Sequence, residues 1–440
     1  MRIDYQPPPQ LLDSLSDKQR EAAVRLSKEN RGLVWWKVGE GKTRIALCWA
    51  YYVTGKPRPL VICSPGAFRQ WQDEIDLLGL TRELKPRFLS YGMLSRGKPL
   101  VIDFEKFNCL IIDELWLYKN FQSKRSRMIY DISHRVPAIG LSGSMVTARN
   151  IEDLYGQARA LRLDTLFARN ITDFRRQFTI EWKNYAGFME RYPTKKAVEQ
   201  IQTALQEVAH IYFPKETREI RDITANVDPT IEQAKIKHKL VSTYYYDNET
   251  KDGFKLEVTS AAAMLVKLQQ VSDGFLRDQE GNIVFIKSSK AIRLRELCTE
   301  LLDAGERILV WVAFRESANQ LRKALPFPVV LLSGEHPFDY HAWRKGEAKV
   351  CVATVGSGAS LNDFKDVRYA IFYSTRFSHL QVQQAKGRTN RKSSDLACRY
   401  YYYLQTTGFP DRDVYEMIEQ SRSSEEMVIS ITNRILANTL

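Results

Sequence analysis

The sequence predicts an α/β protein of two parallel-sheet lobes in tandem, with a helical insertion between them. Three observations lead there. In the first part of the chain, short continuous apolar runs (59–63, 108–112 and 138–141) alternate with helical patterns, as expected of strands buried on both faces of a parallel sheet. The same alternation returns after Ser288, in 307–314, 329–332, 350–354, 370–373 and 397–404. Between the two blocks the pattern becomes charged and helix-rich, and 440 residues are too many for one core. The expected division is therefore 1–170, 171–287 and 288–440.

The chain begins with Pro7-Pro8-Pro9, which is not helical, and then a helix over 16–28 that carries Gln19. A side-chain amide both donates and accepts, so Gln19 is suited to an adenine edge. Next comes Val38-Gly39-Glu40-Gly41-Lys42-Thr43, between an apolar run and a helix over 44–53. Two glycines let the backbone turn tightly and bring its N–H groups, Glu40 included, against phosphate oxygens. Lys42 would reach the β- and γ-phosphates of ATP, and the Thr43 hydroxyl would enter the Mg²⁺ shell. The following helix adds its positive dipole end. The full phosphate-loop pattern is incomplete, because Trp36 stands where its first glycine would be. The pair Trp35-Trp36 is read as packing beside the loop.

Each later strand of the first block ends in a polar cluster, at the strand end where ligands bind in such sheets. Ser64-Pro65-Gly66 follows the first, with Trp71 and Glu74 on the next helix. Asp113-Glu114 follows the second. Transfer of a phosphoryl group to water needs one carboxylate for the metal and one for the water, and we assign Asp113 to Mg²⁺ and Glu114 to the water. Ser142-Gly143-Ser144 follows the third.

In 171–287 the aromatics at helical spacing, among them Phe174 and Phe178, are read as packing rather than base stacking. The Tyr244-Tyr245-Tyr246 run has no assigned role. The second block has no glycine-lysine loop. It carries Gln384-Ala385-Lys386-Gly387-Arg388-Thr389-Asn390-Arg391, in which Gln384, Arg388 and Arg391 fall at i, i+4 and i+7. Two guanidiniums and an amide on one helical face suit a grip on a γ-phosphate. One lobe with the loop and a second without it suggest a cleft that closes over ATP.

A net charge of +13, spread along the chain, points to a polyanionic partner held in a folded groove. No apolar run reaches eighteen residues and the N-terminus lacks a signal-peptide core, so no membrane partner and a cytoplasmic location are expected. Six scattered cysteines, with no C-x-x-C pair, are expected to be reduced thiols.

The order and spacing of these clusters resemble superfamily 2 helicases and translocases of the SWI/SNF-like branch, through nearly the whole chain. Gln19 is similar to the adenine-reading Q motif, and Val38 to Thr43 to motif I. Ser64-Pro65-Gly66 with Trp71 and Glu74 is similar to motif Ia. Asp113-Glu114-Leu115-Trp116 with Lys119-Asn120 resembles motif II. Leu141-Ser142-Gly143-Ser144 with Glu152-Asp153-Leu154-Tyr155 resembles motif III. The run from Ala353 to Asn362, which includes Gly358 as a nucleotide contact, resembles motif V, and Gln384 to Arg391 resembles motif VI. The resemblance implies two RecA-like lobes, ATP between them, and DNA bound across both and held mainly by its backbone. It marks Ser64, Ser333, Gly334, Thr354 and Ser357 as positions able to hold phosphates, so binding should ignore sequence and weaken with salt.

The family pattern is departed from in three places. Trp116 replaces the usual histidine, Ser144-Met145 a Thr-Pro, and Trp36 a commonly acidic residue. The first puts in doubt the polar relay from ATP to motif III. The compactness of the chain resembles bacteriophage-encoded members that act in replication and recombination. The expected activity is that of a monomeric, Mg²⁺- and DNA-dependent ATPase that moves on single-stranded, forked or branched DNA. An RNA helicase and an ATP-gated DNA clamp remain as alternatives.

Overall fold

The computed structural model describes residues 5–95, 103–143, 152–183, 189–193, 195–214, 219–248, 254–332, 340–355, 364–375, 379–390 and 396–416. The chain divides after position 215 into two compact units, each built on a six-stranded sheet whose strands are all parallel. Both are α/β lobes. Across the first sheet the order is Arg87–Ser90, Pro59–Cys63, Cys109–Ile112, Ala138–Ser142, Arg31–Trp36 and Ala209–Tyr212. The four strands Arg31–Trp36, Pro59–Cys63, Cys109–Ile112 and Ala138–Ser142 are buried almost throughout. This explains their continuous apolar runs, since helices cover both faces. Among those helices is Lys42–Thr54, whose Trp49 is fully buried and donates its indole N–H to the Leu26 carbonyl at 3.2 Å.

In the second sheet the order is Val329–Leu332, Val350–Thr354, Ile308–Val312, Tyr369–Phe372, Cys398–Thr406 and Glu219–Val227. The tyrosine run lies in the ninefold-paired strand Cys398–Thr406. Strand alternation sends its rings to opposite faces: Tyr400 stacks on Tyr369, while Tyr403 stacks on Phe372, each pair with centroids 5.0 Å apart.

The segment 171–287 is not helical alone. It holds the helices Ile171–Phe178, Lys195–Val208, Ile231–Thr243 and Ala261–Asp273, but also three short antiparallel hairpins. Two of its strands complete the main sheets: Ala209–Tyr212 pairs with Arg31–Trp36, and Glu219–Val227 pairs with Cys398–Thr406. Glu219–Val227 is polar and alternates between half-buried and exposed because it forms a sheet edge, so no apolar run announces it. Phe174 and Phe178 pack in the first core, 0% and 3% exposed. All six cysteines are free thiols, five of them buried. Among the described residues no helix is long and apolar enough to cross a membrane.

Candidate functional site

Because the sheet is parallel, the polar clusters after Arg31–Trp36, Cys109–Ile112 and Ala138–Ser142 lie along one edge of the first unit. The loop leaving Trp36 turns through Gly39 and Gly41, with φ of +90° and +83°. Such angles are open to glycine and strained for other residues. A Cβ on Gly41 would also lie 2.3 Å from Gln19 Nε2, so a side chain here would displace the Gln19 amide from the loop. Gly143, at the end of the neighbouring strand, lies close against the loop: a Cβ there would come within 2.8 Å of Val38 Cγ2.

The helix Asp17–Ser27 delivers Gln19 to this loop. Its first turn is fixed by a capping box, in which Gln19 Oε1 accepts from Ser16 N–H at 2.9 Å. Gln19 Nε2 then donates to the carbonyls of Glu40 (3.1 Å) and Gly41 (3.3 Å). The amide expected at the adenine edge is thus committed here to the loop backbone. Lys42 opens the helix Lys42–Thr54, and its Nζ donates to the carbonyls of Trp36 (3.0 Å) and Lys37 (3.3 Å). Thr43 is half-buried on the same turn. Arg44 joins this helix to the helix Pro65–Leu77 through Glu74, at 2.5 Å. Ser64 is the N-cap of that second helix.

The Asp113 carboxylate and backbone are held separately. Trp71 Nε1–H donates to Oδ2 at 3.3 Å, while Tyr91 O–H donates to the backbone carbonyl at 2.9 Å. Burial, with Asp113 and Glu114 adding to it, holds the Tyr91 hydroxyl well above its ordinary pKa, so it stays a donor. Glu114 has a left-handed backbone, φ +53°, a conformation that costs a side-chain-bearing residue about 1–2 kcal/mol. Its N–H donates to Asp113 Oδ1 at 3.0 Å, and its Oε2 accepts from the Trp116 indole at 2.7 Å. Lys119, five residues beyond Glu114, bridges to Asp153 at 3.5 Å on the helix Glu152–Ala160. That helix is anchored in turn by the paired hydrogen bonds of Arg175 to Glu152, at 2.7 and 2.8 Å.

Trp35 and Trp36 are packing residues, 2% and 1% exposed. Trp36 Nε1–H donates to His210 Nδ1 at 3.0 Å, across to the edge strand. Burial lowers the His210 pKa to about 4, although Glu21 lies on its other side at 3.9 Å.

In the second unit, Gln384 and Arg388 lie one turn apart on the helix His379–Thr389 and are 6% and 5% exposed. Lys386, between them in sequence, pairs with Asp222 at 2.6 Å and lies over the rings of Tyr401 and Tyr403. The buried Arg399 donates to the carbonyls of Thr389 and Leu396, fixing the end of that helix. Thr354 is 7% exposed, at the carboxyl end of Val350–Thr354. Ser144, Ser333, Gly334, Ser357, Gly358 and Arg391 lie outside the described residues.

Sequence reading overlooked a fully buried ion cluster in this unit. Lys290 Nζ lies 2.8 Å from Asp273 and 3.2 Å from Asp411. Ser317 and Ser374 donate to Asp273 Oδ2, and Ser272 donates to Asp411 Oδ2. Burial alone would lower the Lys290 pKa, but the two aspartates outweigh it and hold it above its ordinary value. These partners are 17 and 121 residues apart from Lys290, and no local pattern links them.

No model of a known protein family matches the chain. It is 24% identical over 408 residues to the DNA 3'-5' translocase XPB2 of Sulfurisphaera tokodaii, covering 90% of this chain and 83% of that protein. It is 21% identical over 371 residues to YwqA of Bacillus subtilis, provisionally assigned as an ATP-dependent helicase/translocase. That match covers 79% of this chain and only 38% of the relative's length. Among solved structures, the SWI2/SNF2 ATPase core of Sulfolobus solfataricus, with double-stranded DNA and in another structure titled as the core domain, is 17% and 16% identical. These alignments cover 95% and 96% of this chain and 93% and 91% of those chains, with TM-scores of 0.39 and 0.38.

Proposed function

We propose that this chain is a superfamily 2 DNA-dependent ATPase of the SWI2/SNF2 kind, which hydrolyses ATP to move along DNA. One observation carries the reading. The glycine loop with Lys42 and Thr43, and the carboxylate pair Asp113-Glu114, stand on one carboxyl edge of one parallel sheet, where a triphosphate and its attacking water must meet. The names of the two curated relatives, a translocase and a helicase/translocase, support it.

Lys42 and the loop N–H groups bind the β- and γ-phosphates. Thr43 and Asp113 are hard oxygen donors and fit Mg²⁺, which prefers a few protein oxygens beside water and phosphate; bound there, it would neutralise charge on the phosphates. Glu114 takes a proton from water as the water oxygen bonds to the γ-phosphorus. The bond from that phosphorus to the bridging oxygen breaks, leaving ADP and phosphate. The motif resemblance gives Gln384, Arg388 and Arg391 of the second unit the role of stabilising the charge that spreads over the transferring group. Ser64 and Thr354, with Ser333, Gly334 and Ser357, hold the DNA backbone. A preference for forked or branched DNA, action as a monomer, and a role in replication or recombination of the bacteriophage kind are the finer parts of the proposal, and rest on the motif resemblance.

The test is steady-state ATP hydrolysis with single-stranded, duplex, forked and four-way DNA and with RNA. Stimulation by DNA above RNA, abolished by Glu114→Gln, is the expected result. Hydrolysis indifferent to every nucleic acid would overturn the proposal.

A further inference from the structure

We infer that Trp116 is a positioning residue for Glu114, holding the carboxylate in place to take its proton from water; this rests on the hydrolytic reading above. Glu114 sits in a left-handed backbone conformation two residues after a buried strand. The indole of Trp116, two residues on in the turn Leu115–Tyr118, reaches back to its Oε2 at 2.7 Å. The contact is short and made to a carboxylate, the strong kind of hydrogen bond. It also closes a local ring of main chain and two side chains, which fixes the side chain that the backbone alone would aim but not hold.

The chemistry of the donor matters. An indole N–H donates, never accepts, and does not titrate. It therefore holds Glu114 Oε2 in place, and it does so at any working pH. A histidine at this position would change its charge with pH. Replacing it with tryptophan keeps a ring donor and removes the titration. A histidine Nε2 stands two bonds from Cγ, as the indole Nε1 does, so the two rings can present a donor at the same place. Trp116 is half-buried, and its substitution disturbs no fully buried core position.

The experiment compares kcat and KM for ATP, with saturating duplex DNA and across pH, in wild type, Trp116→Phe and Trp116→His. Trp116→Phe keeps an aromatic ring and deletes the donor. It should lower kcat about 10- to 100-fold, the range for losing an orienting partner of a functional group, with KM for ATP within about twofold. Trp116→His should recover most of that loss and add an inflection from the imidazole, raised above its ordinary range by the neighbouring Glu114 carboxylate, which wild type lacks. A wild-type kcat in Trp116→Phe, a loss that falls on KM, or a loss that Trp116→His does not repair would overturn the inference and leave the hydrolytic reading standing. Absence of ATP hydrolysis in the wild type would overturn both.

Discussion

The leading strand of the first lobe, Arg31–Trp36, runs into two glycines with left-handed backbones before its helix begins. In the second lobe Ile308–Val312 runs instead into Ala313 and Phe314, and Ala313 N–H donates to Ser374 Oγ at 3.0 Å. That hydroxyl in turn donates to Asp273 in the buried ion cluster. Two sheets of equal size thus use the same junction differently. One keeps an open glycine turn suited to an anion. The other hands its first backbone donor to the protein and ties the turn to a charged core. The lobes also bury titratable groups differently: a neutral histidine beside the loop strand in the first, a lysine with two aspartates in the second. An anion-binding turn and a structural turn are thus distinguished by where their polar groups end, and sheet architecture alone does not decide it.

The comparison breaks most sharply at Arg388. If the second lobe is more than a scaffold, Arg388→Ala should reduce DNA-stimulated kcat by about 10³- to 10⁵-fold, with the fold checked by circular dichroism. A kcat near wild type would confine the chemistry to the first lobe. Next in size, Lys290→Met leaves two buried aspartates without their cation. It should cost about 3–5 kcal/mol in urea unfolding, and adding Asp273→Asn and Asp411→Asn should return much of that.

The third prediction concerns acid. Below pH 6.5 the unfolded chain protonates His210, whereas the folded chain resists until about pH 4. Stability is therefore lost as pH falls between those values, by about 3 kcal/mol in all at about 1.4 kcal/mol per unit. Above pH 6.5 the histidine contributes no pH dependence. Unfolding at pH 7 and pH 4.5, in wild type and His210→Gln, should show a smaller acid loss in the variant. The smallest effect is at Gln19. Gln19→Ala removes the cap partner and both loop contacts; it should cost about 1 kcal/mol and raise KM for ATP more than it lowers kcat.

Much of the fold was legible because buried parallel strands must be apolar throughout: 59–63, 329–332 and 350–354 coincide with the observed strands, and the others differ by one or two residues at an end. Arg87–Ser90 and the edge strands Ala209–Tyr212 and Glu219–Val227 were not legible. Their runs are short or interrupted by polar residues, unlike the apolar edge strand Val329–Leu332, so their assignment depends on pairing with distant segments. The site divides the same way. Lys42, Asp113 and Arg388 announce themselves by local spacing. The Trp36–His210 contact joins residues 174 apart, and Gln19 meets the loop 21 and 22 residues away. Those contacts exist only once the sheet is assembled.

The most direct test of the account is the rate of ATP hydrolysis at saturating duplex DNA in wild type and Lys42→Ala. A phosphate-gripping lysine predicts a loss of at least about 10²- to 10³-fold. Equal rates in the two proteins would contradict the account, because the glycine loop would then not be where the triphosphate is held.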